Sequence, residues 1–423
     1  MKTNERGIVL IITLWMIVVL ATLSLSYLRL VNLEMEMVKF QRDNTIADNV
    51  ATAGIREAMI LIREDKYKDM GDEMTARLVD FRKEDDYFEY DGGGEEWADY
   101  PSLYVDVPFY EKDKDQNQVA YYYVDVQDES AKFPINNLNT TLDMIAHLIE
   151  LSGVEEEQAR SLAGTIIDWR DADDTPTDTG QRGRGGDGSS EYTFYNPKRG
   201  PRDLGIPEFI IKNGPFNTLD ELLLLPGMNA AILYGTVDQS EEDRRNRFRR
   251  RLKKGEYLGL KDLFTVYTQQ INLNTVKAEV LEALLFPMQG KDAENMAQDW
   301  VQMRNGRDRE PYTSDDEALK TLDNSDMDDF HFTDVRGFTE EVFATIRDFV
   351  SNRTSTFEVI SVAEYMGLEK GFRAIVRRDY LNWDLLPVFG MDTFNVEDLQ
   401  QVYVRVRLIE PLYDAEQKIQ QIS

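Results

Sequence analysis

The hydrophobic pattern divides the chain into three kinds of stretch. From Ile8 to Leu28 it runs IVLIITLWMIVVLATLSLSYL without a charge. At about 1.5 Å per residue this run spans about 30 Å, the thickness of a bilayer's hydrocarbon core. Beyond it, apolar residues recur at helical spacing: Leu30, Leu33, Met37, Phe40, then Ile46, Val50, Ala53, Met59 and Ile62. Between Arg29 and Glu64 there is no proline and one glycine, Gly54. This predicts one helix that leaves the membrane and continues for about 80 Å in all; the alternative is a membrane helix followed by a separate core helix.

Residues 64–119 are acidic and turn-rich, with Glu84-Asp85-Asp86 followed by Gly92-Gly93-Gly94-Glu95-Glu96. Leu103–Tyr110 and Val119–Gln127 are rich in Val and Tyr and read as strands. Further strands are predicted only late, at Thr356–Tyr365, Phe372–Tyr380 and Gln401–Leu408, with a hairpin turn over Gly367–Gly371. The stretch between, 136–350, reads as helical. Two strands alone make a marginal sheet, so the economical arrangement pairs early strands with late ones and leaves the helices as an insertion; three consecutive independent units are the alternative.

Two repeats mark this insertion. Asn136-Asn137-Leu138-Asn139-Thr140 is echoed by Ile271-Asn272-Leu273-Asn274-Thr275, each before a helical run, as helix caps would be. Leu151-Ser152-Gly153-Val154, Leu225-Pro226-Gly227-Met228 and Val335-Arg336-Gly337-Phe338 read as helix-hairpin-helix turns. Such turns serve DNA binding elsewhere, but acidic flanks (Asp220, Glu221, Glu155 to Glu157) and Asn229 in place of a second glycine favour compact helical packing here.

Composition narrows the function. The 423 residues hold no Cys and two His and carry a net charge of −30. That excludes disulfides and thiol chemistry, argues against a His-rich metal site or a His-based catalytic set, and makes nucleic acid a poor partner. His147 lies in an apolar helical run and His331 follows an acidic loop; no nucleophile elbow, Walker A or zincin motif occurs, so an enzyme is not expected. Lys2 and Arg6 place the N-terminus in the cytoplasm and send the rest outward. The long apolar run and the lack of a small-residue cleavage pattern after it favour a span over a secretory signal.

Lys2-x-x-x-Arg6-Gly7 before an uninterrupted apolar helix resembles a type IV prepilin leader, which a membrane peptidase cuts after the glycine, here between Gly7 and Ile8. Most of that family has Glu fifth after the cut; this chain has Ile12. That departure, with Trp15 inside the span, resembles the minor pseudopilin K subclass of type II secretion. The insertion resembles it too, through Asp128-Glu129-Ser130, Asn137-Leu138-Asn139 and Ile166-Ile167-Asp168-Trp169-Arg170-Asp171-Ala172-Asp173. The resemblance implies an α+β protein with a leader (1–7), a transmembrane part of the long helix (8–28) and its periplasmic part (29–65). A pilin-like α/β head (66–135 and 356–423) follows, holding a large all-α insertion (136–355) with helix-hairpin-helix-like turns. It implies a role at the pseudopilus tip in protein export across the outer membrane. The implied partners are I- and J-type minor pseudopilins, other pseudopilus subunits and the prepilin peptidase. The chain would cross the inner membrane once with its head in the periplasm. A single-pass periplasmic scaffold or binding protein with no fibre role is the runner-up, and a membrane-tethered hydrolase a formal third.

The sharpest polar cluster is Asp168, Asp171, Asp173, Asp174 and Asp178, five carboxylates in eleven residues before a Gly-rich loop. Several oxygens on a flexible loop suit a hard cation. The order is not that of an EF-hand, and a solvated acidic loop balanced by Arg170 or Arg182 is the other reading. The resemblance adds calcium to the expectation, since the family's insertion is associated with it. Asp323–Asp329 is a second acidic run, and Arg244–Lys254, with eight cationic residues in eleven, reads as a solvated loop or a dock for an acidic surface.

Overall fold

The computed structural model describes residues 5–79, 90–95, 97–98, 103–106, 120–179, 190–196, 209–236, 255–309, 313, 315–322, 332–379 and 403–412. Helix α1 runs unbroken over Glu5–Val79, 75 residues. The single-helix expectation therefore holds and extends beyond the predicted boundary at 65. Its first part is unburied, while Ala47, Val50, Ala51, Ile55, Ala58 and Ile62 are buried on the head.

The head is a five-stranded antiparallel sheet in the order β1 (Leu103–Asp106), β2 (Ala120–Asp128), β7 (Thr356–Tyr365), β8 (Leu368–Asp379) and β9 (Tyr403–Leu412). Early strands thus pair with late ones, and consecutive independent units are ruled out. The hairpin turn is tighter than expected: Met366 and Gly367, at φ 53° and 78°, link β7 and β8, the left-handed pair that a two-residue hairpin turn needs. Strand β2 alternates buried and half-buried residues, its buried row facing α1. Rod and sheet approach closely at Gly54, where a β-carbon would press on Ser361, Tyr122 and Val124; only glycine fits there.

The insertion is two copies of one unit. The first comprises β3 (Phe133–Pro134), α2 (Leu142–Leu151), α3 (Glu156–Arg170), α4 (Glu191–Tyr195), a 3-10 turn and a glycine turn leading into α5 (Ala230–Tyr234), and β4 (Phe264–Thr265) parallel to β3. The second comprises β5 (Ile271–Asn272), α6 (Ala278–Gln289), α7 (Asp292–Arg304), a second such turn ending in α8 (Glu340–Ile346), and β6 (Val350–Ser351) parallel to β5. The all-α expectation is corrected by these short strand pairs, which satisfy backbone groups of buried extended segments. Gly153, Gly227 and Gly337 carry φ of 100°, 88° and 91°, as the turn pattern requires.

The asparagines do not cap helices as the sequence suggested. Thr141 caps α2, and Lys277 precedes α6 without a side-chain cap. Instead Asn136 donates to Phe216 O at 2.9 Å and accepts from Phe216 N at 2.8 Å. Asn274 does the same with Leu319, at 3.1 and 2.7 Å. Asn136 therefore corresponds to Asn274, and the echo read from the sequence is out of register with the structure. Arg170 at the end of α3 donates to Ile135 O and to Thr140, while Arg304 at the end of α7 donates to Val276 O at 2.8 Å.

Head and insertion join through a buried polar neck. Lys132 Nζ donates to Glu129 and Glu358, both at 2.6 Å, and Arg373 pairs with Glu358. Burial pushes Glu358 up, but Lys132 and Arg373 outweigh it and hold the carboxyl well below its usual range. Asp128 accepts from Asn272 at 2.9 Å, from Ser130 N at 2.6 Å and from the Thr275 hydroxyl.

Candidate functional site: an unburied rod and a carboxylate pocket

The large apolar side chains of α1 from Val9 to Leu30 are all exposed, as are Leu33, Met37 and Phe40. The most apolar 18-residue window has a mean hydropathy of 2.5 and none of it is buried. Among the described residues this is the one helix long and apolar enough to cross a membrane. A face left bare on every side belongs in lipid or among other helices. Gly7 and Ile8 lie within the helix, and Ile12 is 55% exposed with no carboxylate near it in sequence but Glu5.

The second feature lies where α3 ends. Asp168 is buried at 1% exposure; its Oδ1 accepts from Thr177 N at 2.8 Å and from the Thr177 hydroxyl, and its Oδ2 from Tyr195 Oη at 2.7 Å. The segment after α3 turns back along the helix because Thr179 packs on Gly164 and Arg160 Nε donates to Thr179 O at 2.8 Å. Ser190 caps α4, and Glu191 follows, also 1% exposed. Asp168, Asp171 and Glu191 then present oxygens within 4.8 Å of one another. Oδ1 of Asp171 and Oε1 of Glu191 are buried without a hydrogen-bond partner.

Such carboxylates resist ionisation. Burial, then Asp168 and the other neighbouring acids, pushes Glu191 up to about 8; burial and then Asp173 and Asp168 push Asp171 up to about 6. Burial also raises Asp168 against its hydrogen bonds. Arg170 is adjacent, but both its Nη atoms donate to Ile135 O and Thr140, and its Nε is buried without a hydrogen-bond partner. Orphaned buried oxygens of an all-oxygen set fit a hard divalent cation such as calcium, with Asp168, Asp171 and Glu191 as holders. Of the residues predicted from sequence, Asp168 and Asp171 come together. Asp173, Asp174 and Asp178 are exposed outside the group, Asp173 closing a local turn to Thr175 N at 2.7 Å. Glu191 was missed because it lies beyond the Gly-rich loop; its one sequence signal is its place after the capping Ser190.

The other predicted positions divide similarly. His147 sits between α2 and α6, stacked on Phe286 at 3.7 Å with Nε2 2.9 Å from Glu282 Oε1, a packing role. His331, Arg244–Lys254 and Asp323–Asp329 lie outside the described residues. Met228 N and Phe338 N in the hairpin turns bond back to Leu225 O and Val335 O, so they are not offered to phosphates.

Residues 127–234 match the family described as Type II secretion system (T2SS), protein K. That match covers about a quarter of the chain, 108 of its 423 residues. It takes in Asp168, Asp171 and Glu191 and the turn at Gly227. The chain is also similar to a chain in the crystal structure of the GspK-GspI-GspJ complex from the enterotoxigenic Escherichia coli type 2 secretion system. The two are 15% identical with a TM-score of 0.51, over 89% of this chain and 99% of that one. No curated protein gives a sequence match. The resemblance to protein K read in the insertion is thus borne out, and the likeness in fold extends over most of the chain.

Proposed function

We propose that this chain is a minor pseudopilin of type II secretion, placed at the pseudopilus tip and supporting protein export across the outer membrane. One observation carries the reading: a single helix has a bare apolar half and a half packed on a sheet, and that sheet holds a protein K insertion. A helix of this kind leaves lipid by exchanging it for neighbouring helices, at little cost because its apolar surface stays covered. The prepilin peptidase cuts between Gly7 and Ile8, and the head stays in the periplasm while the chain is anchored once in the inner membrane. An intramembrane carboxylate is expensive unless paired; with Ile12 in its place, the chain has no such link to a subunit ahead of it, which suits a first position. Minor pseudopilins of the I and J kinds are its partners. Its work is assembly rather than catalysis. Calcium in the pocket of Asp168, Asp171 and Glu191 would neutralise three crowded carboxylates and pin α4 to the end of α3.

N-terminal sequencing of the protein from cells with the export machinery is expected to begin at Ile8, and Gly7→Glu to abolish that cut. An intact Met1, or failure to co-purify with small pseudopilins, would favour a periplasmic tether with no fibre role. For calcium, calorimetry on the full chain is expected to show binding that Glu191→Gln removes.

A further inference from the structure

The molecule contains a second trio of carboxylates as crowded as the pocket in the insertion. Asp65 near the packed end of α1, with Asp91 and Glu95 from the segment after it, offer oxygens within 4.8 Å of one another. This trio sits where the rod meets the head, and it is not vacant. Arg378 on β8, fully buried, enters it. Its Nη1 donates to Asp65 Oδ2 at 2.9 Å and to Ile62 O at 3.2 Å. Its Nη2 donates to Asp91 and to Thr354 O at 3.3 Å. The guanidinium lies 5.1 Å from the ring centroid of Phe357, whose ring in turn meets Trp97 edge-on at 5.0 Å. Glu95 Oε2 accepts from Gly92 N at 3.0 Å and Trp97 Nε1 at 2.8 Å.

We propose that Arg378 is the resident cation of this socket: it occupies the place a divalent metal would take and latches the distal end of α1 to the head without one. The planar guanidinium reaches four acceptors on three separate segments, including a helix carbonyl, which a lysine ammonium could not match. Among the described residues, the carboxylates facing it are Asp65 from α1 and Asp91 and Glu95 from the following segment, and none is shared with the insertion pocket. Burial, and then Asp65 and Asp91, push Glu95 up to about 9, so this carboxyl resists adding a further charge to the socket. A divalent ion and a guanidinium cannot both fit among oxygens this close. The rod–head joint is therefore indifferent to cation supply. It stands independently of any calcium in the insertion.

Hydrogen exchange of the α1 amides over residues 43–65, measured on the full chain in detergent, tests this. Chelation is expected to leave these amides unchanged. Arg378→Lys is expected to speed their exchange at least ten-fold while helix content is retained. In Arg378→Ala, millimolar Mn²⁺ is expected to restore protection, and Asp91→Asn added to it to abolish the rescue. If Arg378→Ala does not fold alone, folding with and without Mn²⁺ reads the same point. Faster exchange on chelation of the unsubstituted chain, unchanged exchange in Arg378→Lys, or no rescue by Mn²⁺ would each overturn the proposal. Performing every arm with Glu191→Gln as background keeps the result separate from the insertion pocket.

Discussion

Replacing Gly54 by alanine gives two physical effects of opposite sign, and the structure decides between them. A glycine in mid-helix costs about 1 kcal/mol relative to alanine, so in open space Gly54→Ala would stabilise the chain by about that much. Here the new β-carbon would lie 2.9 Å from Tyr122 Cδ2 and Val124 Cγ2, and closer still to Ser361 Oγ. These neighbours belong to the sheet: Ser361 is fully buried and Val124 1% exposed, so neither can swing into solvent. Overpacking of this kind costs about 1–3 kcal/mol. The net expectation is destabilisation of up to about 2 kcal/mol, in place of the stabilisation that propensity alone predicts, with faster hydrogen exchange localised to the α1 contact on β2 and β7. Urea unfolding of the full chain in detergent gives the sign, and Ser361→Ala in the same background should recover part of the loss by removing the nearest atom. Asn49→Ala, at an exposed position of the same helix, is the control that gains propensity without a clash. Should Gly54→Ala stabilise the chain as much as propensity alone predicts, the rod does not sit on the sheet as closely as described.

Three further outcomes follow from the buried charges. With metal removed, the pocket should lose stability as pH rises: Asp171 and Glu191 titrate near 6 and 8 in the folded state, above their unfolded values, so the folded state binds more protons. Thermal melts of chelated protein should fall from about pH 4.5 toward about pH 8, and calcium should offset most of the fall at the upper end. Arg170→Met would strand the carbonyls of Ile135 and Thr140; at about 1–3 kcal/mol per orphaned buried acceptor, the first unit of the insertion should lose about 2–6 kcal/mol, seen as exchange in α2 and α3 before the head. Lys132→Met leaves Glu129 buried beside an unpaired space at the neck and should cost about 3 kcal/mol, a loss that urea unfolding reads and that Glu129→Gln should partly reverse.

Much of the architecture was readable from residue pattern because the forces behind it are local or periodic. The bare apolar run and the helical spacing after it gave α1, and the Val- and Tyr-rich segments gave the sheet. The rule that two strands cannot stand alone gave the pairing of β2 with β7. The three turn glycines declared themselves because the left-handed backbone excludes other residues. What pattern could not supply was pairing across long loops. Arg378 meets Asp65 and Asp91 over 313 and 287 positions, and Glu191 reaches Asp168 only after the chain has doubled back on α3. The asparagine repeat misled for a related reason: similar triplets stand three residues apart in register, and only the backbone each amide bridges identifies the true counterparts.

The buried charges also show why the insertion pocket stands out in so acidic a chain. At the neck, Glu129 and Glu358 surround Lys132 and Arg373; at the rod joint, Asp65 and Asp91 surround Arg378. Each of these carboxylate clusters contains its own cation, and a buried carboxylate without one is driven to protonate. In the pocket of Asp168, Asp171 and Glu191, the adjacent Arg170 turns its two Nη atoms to Ile135 and Thr140, leaves Nε without a partner, and makes no hydrogen bond to the carboxylates among the described residues. A fold that supplied internal cations twice and withheld one the third time leaves two resolutions for that site, a proton or a metal. The proton alone leaves Asp171 and Glu191 oxygens without partners, whereas a divalent ion engages them, and this difference is what favours the metal.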